Sequence, residues 1–214
     1  MKAISIDIET TGLNVYNAEI LEVAFVAFDT EVFFEGVNSE NTIRFLIVKQ
    51  NWHGEVFALT MNQSILEEIK ASQDIFRDSN ELISINTKGD YPLIYINGNT
   101  YPCYDNEDRA TVEDVLEQFY LRNNFTDRIV VAGKNFAGFD KRFLDENPWF
   151  GSKITSRFHH RILDPGSMYT VAEDDQVPCL EYCLDRAGLN KEVPHTAVED
   201  AVLVIKVLQA KLLS

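Results

Sequence analysis

Asp7 and Glu9 stand two residues apart in the run Ile6-Asp7-Ile8-Glu9-Thr10-Thr11-Gly12-Leu13. Residues 2–9 alternate as a strand does, with Ile4, Ile6 and Ile8 on one face and Ala3, Ser5, Asp7 and Glu9 on the other. The two carboxylates therefore share a face at the end of that strand, roughly 6–7 Å apart along it. Thr10-Thr11-Gly12 then turns the chain away. Two carboxylates so placed can share a hard cation that prefers oxygen ligands. Taken alone, an Asp-x-Glu pair equally well marks an ordinary strand end.

Asp200 comes from the other end of the chain. Pro194 keeps Val193 extended. Thr196-Ala197-Val198-Glu199 fits a capping box, with Thr196 as N-cap and Glu199 as its reciprocal partner, so a helix is expected over 196–212. Its apolar stripe is Ala197, Ala201, Val204, Ile205, Leu208 and Leu212, and Asp200 lies on or beside it. His195 falls just outside the helix. Imidazole titrates near neutral pH and suits proton transfer, although a lone His before a helix is usually an ordinary polar loop residue. Asp140 follows the apolar run Ile129-Val130-Val131-Ala132 and the turn Gly133-Lys134-Asn135, in the first turn of a short helix. There the helix dipole alone favours an acid.

Any one acid is unexceptional among 34. Four in positions where burial is expected are another matter, because buried carboxylates are costly unless paired, hydrogen-bonded or bound to metal. With few bases nearby in sequence, their convergence points to divalent cations.

Asp7-Ile8-Glu9, Asn135-x3-Phe139-Asp140 and His195-x4-Asp200, in that order, resemble the DEDD superfamily of 3′-to-5′ exonucleases, in the branch whose last motif is His-x4-Asp. Thr196 stands where the other branch carries Tyr, and Lys134 stands where many members place His. Arg161-Ile162-Leu163-Asp164-Pro165 also resembles the segment before the last motif in some members, bacteriophage exonucleases among them. The resemblance spans nearly the whole chain. It implies a ribonuclease H-like fold and two-metal hydrolysis of phosphodiester bonds, with two cations roughly 3.5–4 Å apart. Asp7, Glu9 and Asp200 would hold one Mg²⁺, Asp7 and Asp140 the second, with Mn²⁺ able to substitute. His195 would act as general base. Thr10, Leu13 and Asn135 would contact the substrate, and 5′-monophosphates would leave from DNA or RNA 3′ ends. A non-catalytic nucleic-acid-binding or scaffold protein on the same fold is the alternative, and loss of an acid would favour it.

To position these residues the chain offers strands at 2–9, about 19–28 and about 42–48, then a helix at about 62–77. A helix at about 111–122 and a strand at 128–132 follow. Helices at about 139–145 and 178–188, a strand at about 161–163 and the helix over 196–212 complete the pattern. This alternation indicates an α/β chain, a mixed sheet flanked by helices, in a single domain over residues 1–214. Residues 81–110 look like an insertion. Leu93–Ile96 and Thr100–Cys103 flank Asn97-Gly98, a two-residue hairpin signal, and Tyr91, Tyr95, Tyr101 and Tyr104 make it aromatic. An ordinary edge hairpin is the first expectation there, ahead of a substrate lid or a dimer contact.

The 45% hydrophobic content argues against disorder. No signal peptide or apolar run of spanning length is seen, so a cytoplasmic location is expected. Cys179 and Cys183 are one helical turn apart, a spacing that suggests packing before zinc binding; Cys103 is the third cysteine. A net charge of −15 argues against coating long nucleic acid. Short or single-stranded ends are the better-matched substrates, with Lys134, Lys141 and Arg142 supplying local positive potential.

Overall fold

The computed structural model describes residues 1–48, 52–78, 91–96, 99–102, 112–126 and 128–213. Its framework is a six-stranded mixed sheet in the order β5-β4-β3-β2-β1-β6. The strands are β1 (Lys2–Thr10), β2 (Ile20–Asp29), β3 (Thr42–Val48), β4 (Tyr91–Ile96), β5 (Asn99–Pro102) and β6 (Val131–Ala132). Strands β1 to β5 pair antiparallel in succession, whereas β6 runs parallel to β1. The helices are α1 (Val56–Met61), α2 (Gln63–Asp78), α3 (Val112–Arg122), α4 (Asp140–Glu146), α5 (Gly151–Thr155), α6 (Pro165–Tyr169), α7 (Leu180–Arg186) and α8 (Ala197–Leu212).

Alternation along β1 decides which helix meets which side chain. Ile4, Ile6 and Ile8 join Val23, Phe25 and Phe45 beneath α3 and α4, where Leu116, Phe119, Phe143 and Leu144 complete the core. Phe45 packs edge-to-face on both Phe25 and Phe150, with ring centroids 6.1 and 5.3 Å apart. On the opposite face, Ala3, Val26 and Phe28 meet Ala201, Val204, Ile205 and Leu208 of α8. Burying each of these large side chains on α8 stabilises by roughly 1.5–3 kcal/mol. Leu21 and Leu46 meet Ile65 and Ile69 of α2. Because both faces are covered, β2 reads as an almost continuous apolar run. Glu22 is the exception within it.

The faces expected for β1 and most of the stripe expected for α8 are found. Leu212 is exposed, because the last turn of α8 carries it clear of the covered face. The strand expected at 161–163 reduces to one parallel bridge, Leu163 to Ala132, and that at 128–132 to β6 plus a bridge from Ile129 to Phe158. Both lie at the parallel edge of the sheet, where pairing is short. Helices α1 and α5 were not expected, since five or six residues are too few to show a helical period. Ile96 and Asn99 are paired across β4 and β5, which places the hairpin at the sheet edge. Asn97-Gly98, Cys103, Tyr104 and most of 81–110 lie outside the described residues. Of the other cysteines, Cys183 packs in the core, whereas Cys179 is exposed. Among the described residues, no helix is long and apolar enough to cross a membrane.

Candidate metal centre

At the end of β1 the chain is tied down before it turns. The Thr10 hydroxyl donates to the Gly12 carbonyl at 2.8 Å, and Asn62 donates through Nδ2 to the Thr10 carbonyl at 3.0 Å. Thr11 is fully buried; its hydroxyl donates to the His53 carbonyl at 2.6 Å and accepts from the Glu19 N–H at 2.9 Å. Gly54 sits so close to Thr11 that a Cβ there would lie 2.3 Å from the Thr11 carbonyl oxygen. These contacts fix the strand end that carries Asp7 and Glu9.

Helix α8 approaches from above that face. The Thr196 hydroxyl accepts from the Glu199 N–H at a long 3.4 Å and donates to the Glu199 carboxylate at 2.7 Å. Half of the expected capping box is therefore present. The Glu199 carboxylate meets the Thr196 side chain where a full box would use its backbone N–H. Thr196→Ala should cost about 0.5–2 kcal/mol of stability, readable as a shift in a denaturant midpoint. No change would show that Glu22, whose carboxylate accepts from the Ala197 N–H at 3.0 Å, holds the helix start without it.

Packing of α8 on β1 and β2 brings Asp200 over the β1 acids. Carboxylate oxygens of Asp7, Glu9 and Asp200 lie within 4.8 Å of one another. Asp200 is 7% exposed, and its Oδ1 is buried with no hydrogen-bond partner. Asp140, 4% exposed at the start of α4, stands beside Asp7 closely enough to repel its charge but is not one of the three clustered acids. Burial, then the charges of Asp140, Glu9, Asp200 and Glu22, raise the Asp7 carboxyl well above its ordinary range. Burial and the charges of Asp200 and Glu22 push Glu9 up to about 8. Burial pushes Asp140 up to about 7, against backbone N–H groups of its own residue and Ile8 that pull the other way. Asp200 also rises to about 7, through burial and then Glu199 and Glu22, opposed by the His195 N–H.

Acids whose folded values are raised bind protons more readily folded than unfolded, so their contribution is complete below their unfolded values near 4. It is lost as pH rises through about 7 to 8, the values of Asp140, Asp200 and Glu9. The metal-free protein should accordingly melt at a lower temperature at pH 8 than at pH 6, and Mg²⁺ should raise the melting temperature more at the higher pH. A melting temperature that rises over this interval would contradict the repulsion.

The other expected site residues are placed as follows. His195 is half-buried immediately before the N-cap, with φ 58°, in the left-handed region that His adopts more readily than most residues. Asn135 shares that backbone conformation at φ 58°, and its N–H donates to Asp164 at 3.0 Å. Its side-chain amide lies over Gly138, where a Cβ would come within 2.5 Å of Oδ1. Thr10 is buried and spends its hydroxyl on the turn, whereas Leu13 is 76% exposed and its N–H donates to Glu55 at 3.1 Å.

Two residues that bear on the site were missed. Asp164 caps α6, accepting from the Gly166 N–H at 2.7 Å, and at the same time holds the Asn135 loop. The Asp-Pro pair at the head of that helix was a legible cap signal. Glu22 lies directly opposite Glu9 in the β1–β2 register and is fully buried. One acid inside an otherwise apolar strand was the sign that could have found it.

A donor set made only of carboxylate oxygen, with one buried oxygen unpartnered, suits Mg²⁺ or Mn²⁺. No protein-family model matches the chain, and no curated protein matches it.

Proposed function

We propose that this protein is a metal-dependent 3′-to-5′ exonuclease acting on short or single-stranded DNA or RNA ends. The observation that carries the reading is the meeting of Asp7, Glu9 and Asp200 within 4.8 Å, from opposite ends of the chain, with His195 five residues before Asp200. The sheet order, with the antiparallel strands β5 to β1 followed by a parallel β6 on the far side of β1, supports a ribonuclease H-like architecture.

In this reading Asp7, Glu9 and Asp200 hold one divalent ion, and Asp7 with Asp140 holds a second. Bound there, the ions would supply Lewis-acid stabilisation of the charge that builds on the phosphodiester. The protein's own groups do the rest. His195 accepts the proton of the attacking water through its imidazole, while its backbone N–H steadies Asp200. Asp164 and the bound turn at Thr10–Gly12 hold the loops that flank the acids. Lys134 lies close enough to Asp140 to favour its charged form.

Leu13 and the helix α1 next to it provide a surface for the substrate. Glu55 links them, accepting from the Leu13 N–H and donating its own N–H to the Thr11 carbonyl at 2.7 Å. Helix α1 buries none of its residues, and Phe57 is 75% exposed. Base stacking on an aromatic side chain contributes about 1–3 kcal/mol. Phe57→Ala should therefore raise KM about fivefold or more, by that stacking energy, with kcat little changed. An unchanged KM would remove α1 from the substrate path.

Digestion of 5′-labelled single-stranded DNA and RNA oligomers with Mg²⁺ tests the reading. A ladder that shortens from the 3′ end, with nucleoside 5′-monophosphates as products, is expected. Internal cuts would indicate an endonuclease, and binding without cleavage would support the non-catalytic alternative.

A further inference from the structure

Among the described residues, Glu22 is the one buried acid beside the cluster that the proposed chemistry leaves without a role. It sits opposite Glu9 in the strand register, yet the clustered carboxylates are Asp7, Glu9 and Asp200. Its two oxygens are engaged elsewhere. Oε1 accepts from Arg44 Nε, and Oε2 accepts from the Ala197 N–H, the first backbone N–H of α8, at 3.0 Å. Arg44 is itself held by a two-pronged contact, Nη1 and Nη2 donating to the Glu68 carboxylate of α2 at 2.8 and 2.7 Å. A chain of charge-assisted contacts thus runs from α2 through β3 and β2 to the start of α8.

Ala197 lies between His195 and Asp200 in sequence, so fixing its N–H fixes the turn that presents both. The first N–H groups of a helix lack partners within it, and an anion is favoured at that end. Glu22 meets both needs from the sheet. Thr196 cannot serve in its place, since its hydroxyl already takes the Glu199 N–H.

We propose that Glu22 is a positioning residue and not a metal ligand: anchored by Arg44, it sets the first turn of α8, and with it Asp200 and His195, against the end of β1. This rests on the metal-centre reading above. Outer partners that orient ligands typically account for 10- to 100-fold in metal affinity.

The test is calorimetric titration of the metal-free protein with Mn²⁺, on variants shown by circular dichroism to be folded. Glu22→Ala should bind Mn²⁺ about 10- to 100-fold more weakly than the wild type. Because a lone Glu22→Ala takes one of its carboxylate partners from Arg44 and leaves that guanidinium to Glu68, the double substitution Glu22→Met with Arg44→Met is the companion variant. It keeps volume and removes both charges together, a change that buried ion pairs tolerate, and it should show the same loss of affinity. Glu22→Gln should fall between, because one amide oxygen can serve Ala197 or Arg44 but not both. Wild-type Mn²⁺ affinity in the folded double-Met variant would overturn the positioning role. A Glu22→Gln loss as large as that of Asp200→Asn would overturn it differently, making Glu22 a ligand. If the wild type itself binds no Mn²⁺, the metal reading fails and this proposal with it, an outcome distinct from the other two.

Discussion

Asp200→Asn should lower cleavage by about 10³-fold or more, since bound metal supplies several kcal/mol and each 1.36 kcal/mol is tenfold in rate. The same substitution should leave the metal-free protein folded and at least as heat-stable as the wild type. Asn keeps the shape of Asp while removing one of the charges that raise Asp7 and Glu9. Relief of repulsion among buried like charges is stabilising in the absence of metal. Asp7→Asn should behave alike, because Asp7 feels four other carboxylates. The pairing of lost activity with retained or increased stability is the signature of a site held in tension for function. Unfolding together with residual cleavage would instead make these acids structural.

The second large effect is expected at His195. A general base contributes about 10²- to 10⁴-fold, so His195→Asn should lower kcat by about that factor while Mn²⁺ affinity is kept. Asn is the informative replacement because it also tolerates the left-handed backbone found at this position. The influence of the His195 N–H on Asp200 comes from the main chain and survives the change. An unchanged kcat would show that the proton goes elsewhere, even if the metal centre stands.

Much of this site could be read from local pattern. The two-residue period placed Asp7 and Glu9 on the face opposite Ile4, Ile6 and Ile8, and that is the face α8 covers. The apolar stripe of α8 placed Asp200 inward. What escaped was non-local. Glu22 meets Arg44 across β2 and β3 and meets α8 from the far end of the chain. Neither contact has a local period to betray it. The left-handed backbone of Asn135 and His195 was equally hidden, since no glycine marks either position. Gln209 shows the same limit. It lies outside the apolar stripe expected for α8, yet it is buried, donating to the Asp29 and Val32 carbonyls and accepting from the Phe34 N–H. Short helices and the parallel edge of the sheet were misjudged because a few residues carry too little periodicity to measure.

Anomalous scattering from crystals soaked in Mn²⁺ would show directly whether Asp7, Glu9 and Asp200 form a metal centre. A strong peak bound by oxygens of all three residues is expected, with a second peak between Asp7 and Asp140 when a nucleoside 5′-monophosphate is present. Mn²⁺ at saturating concentration with no peak at these carboxylates would contradict such a centre.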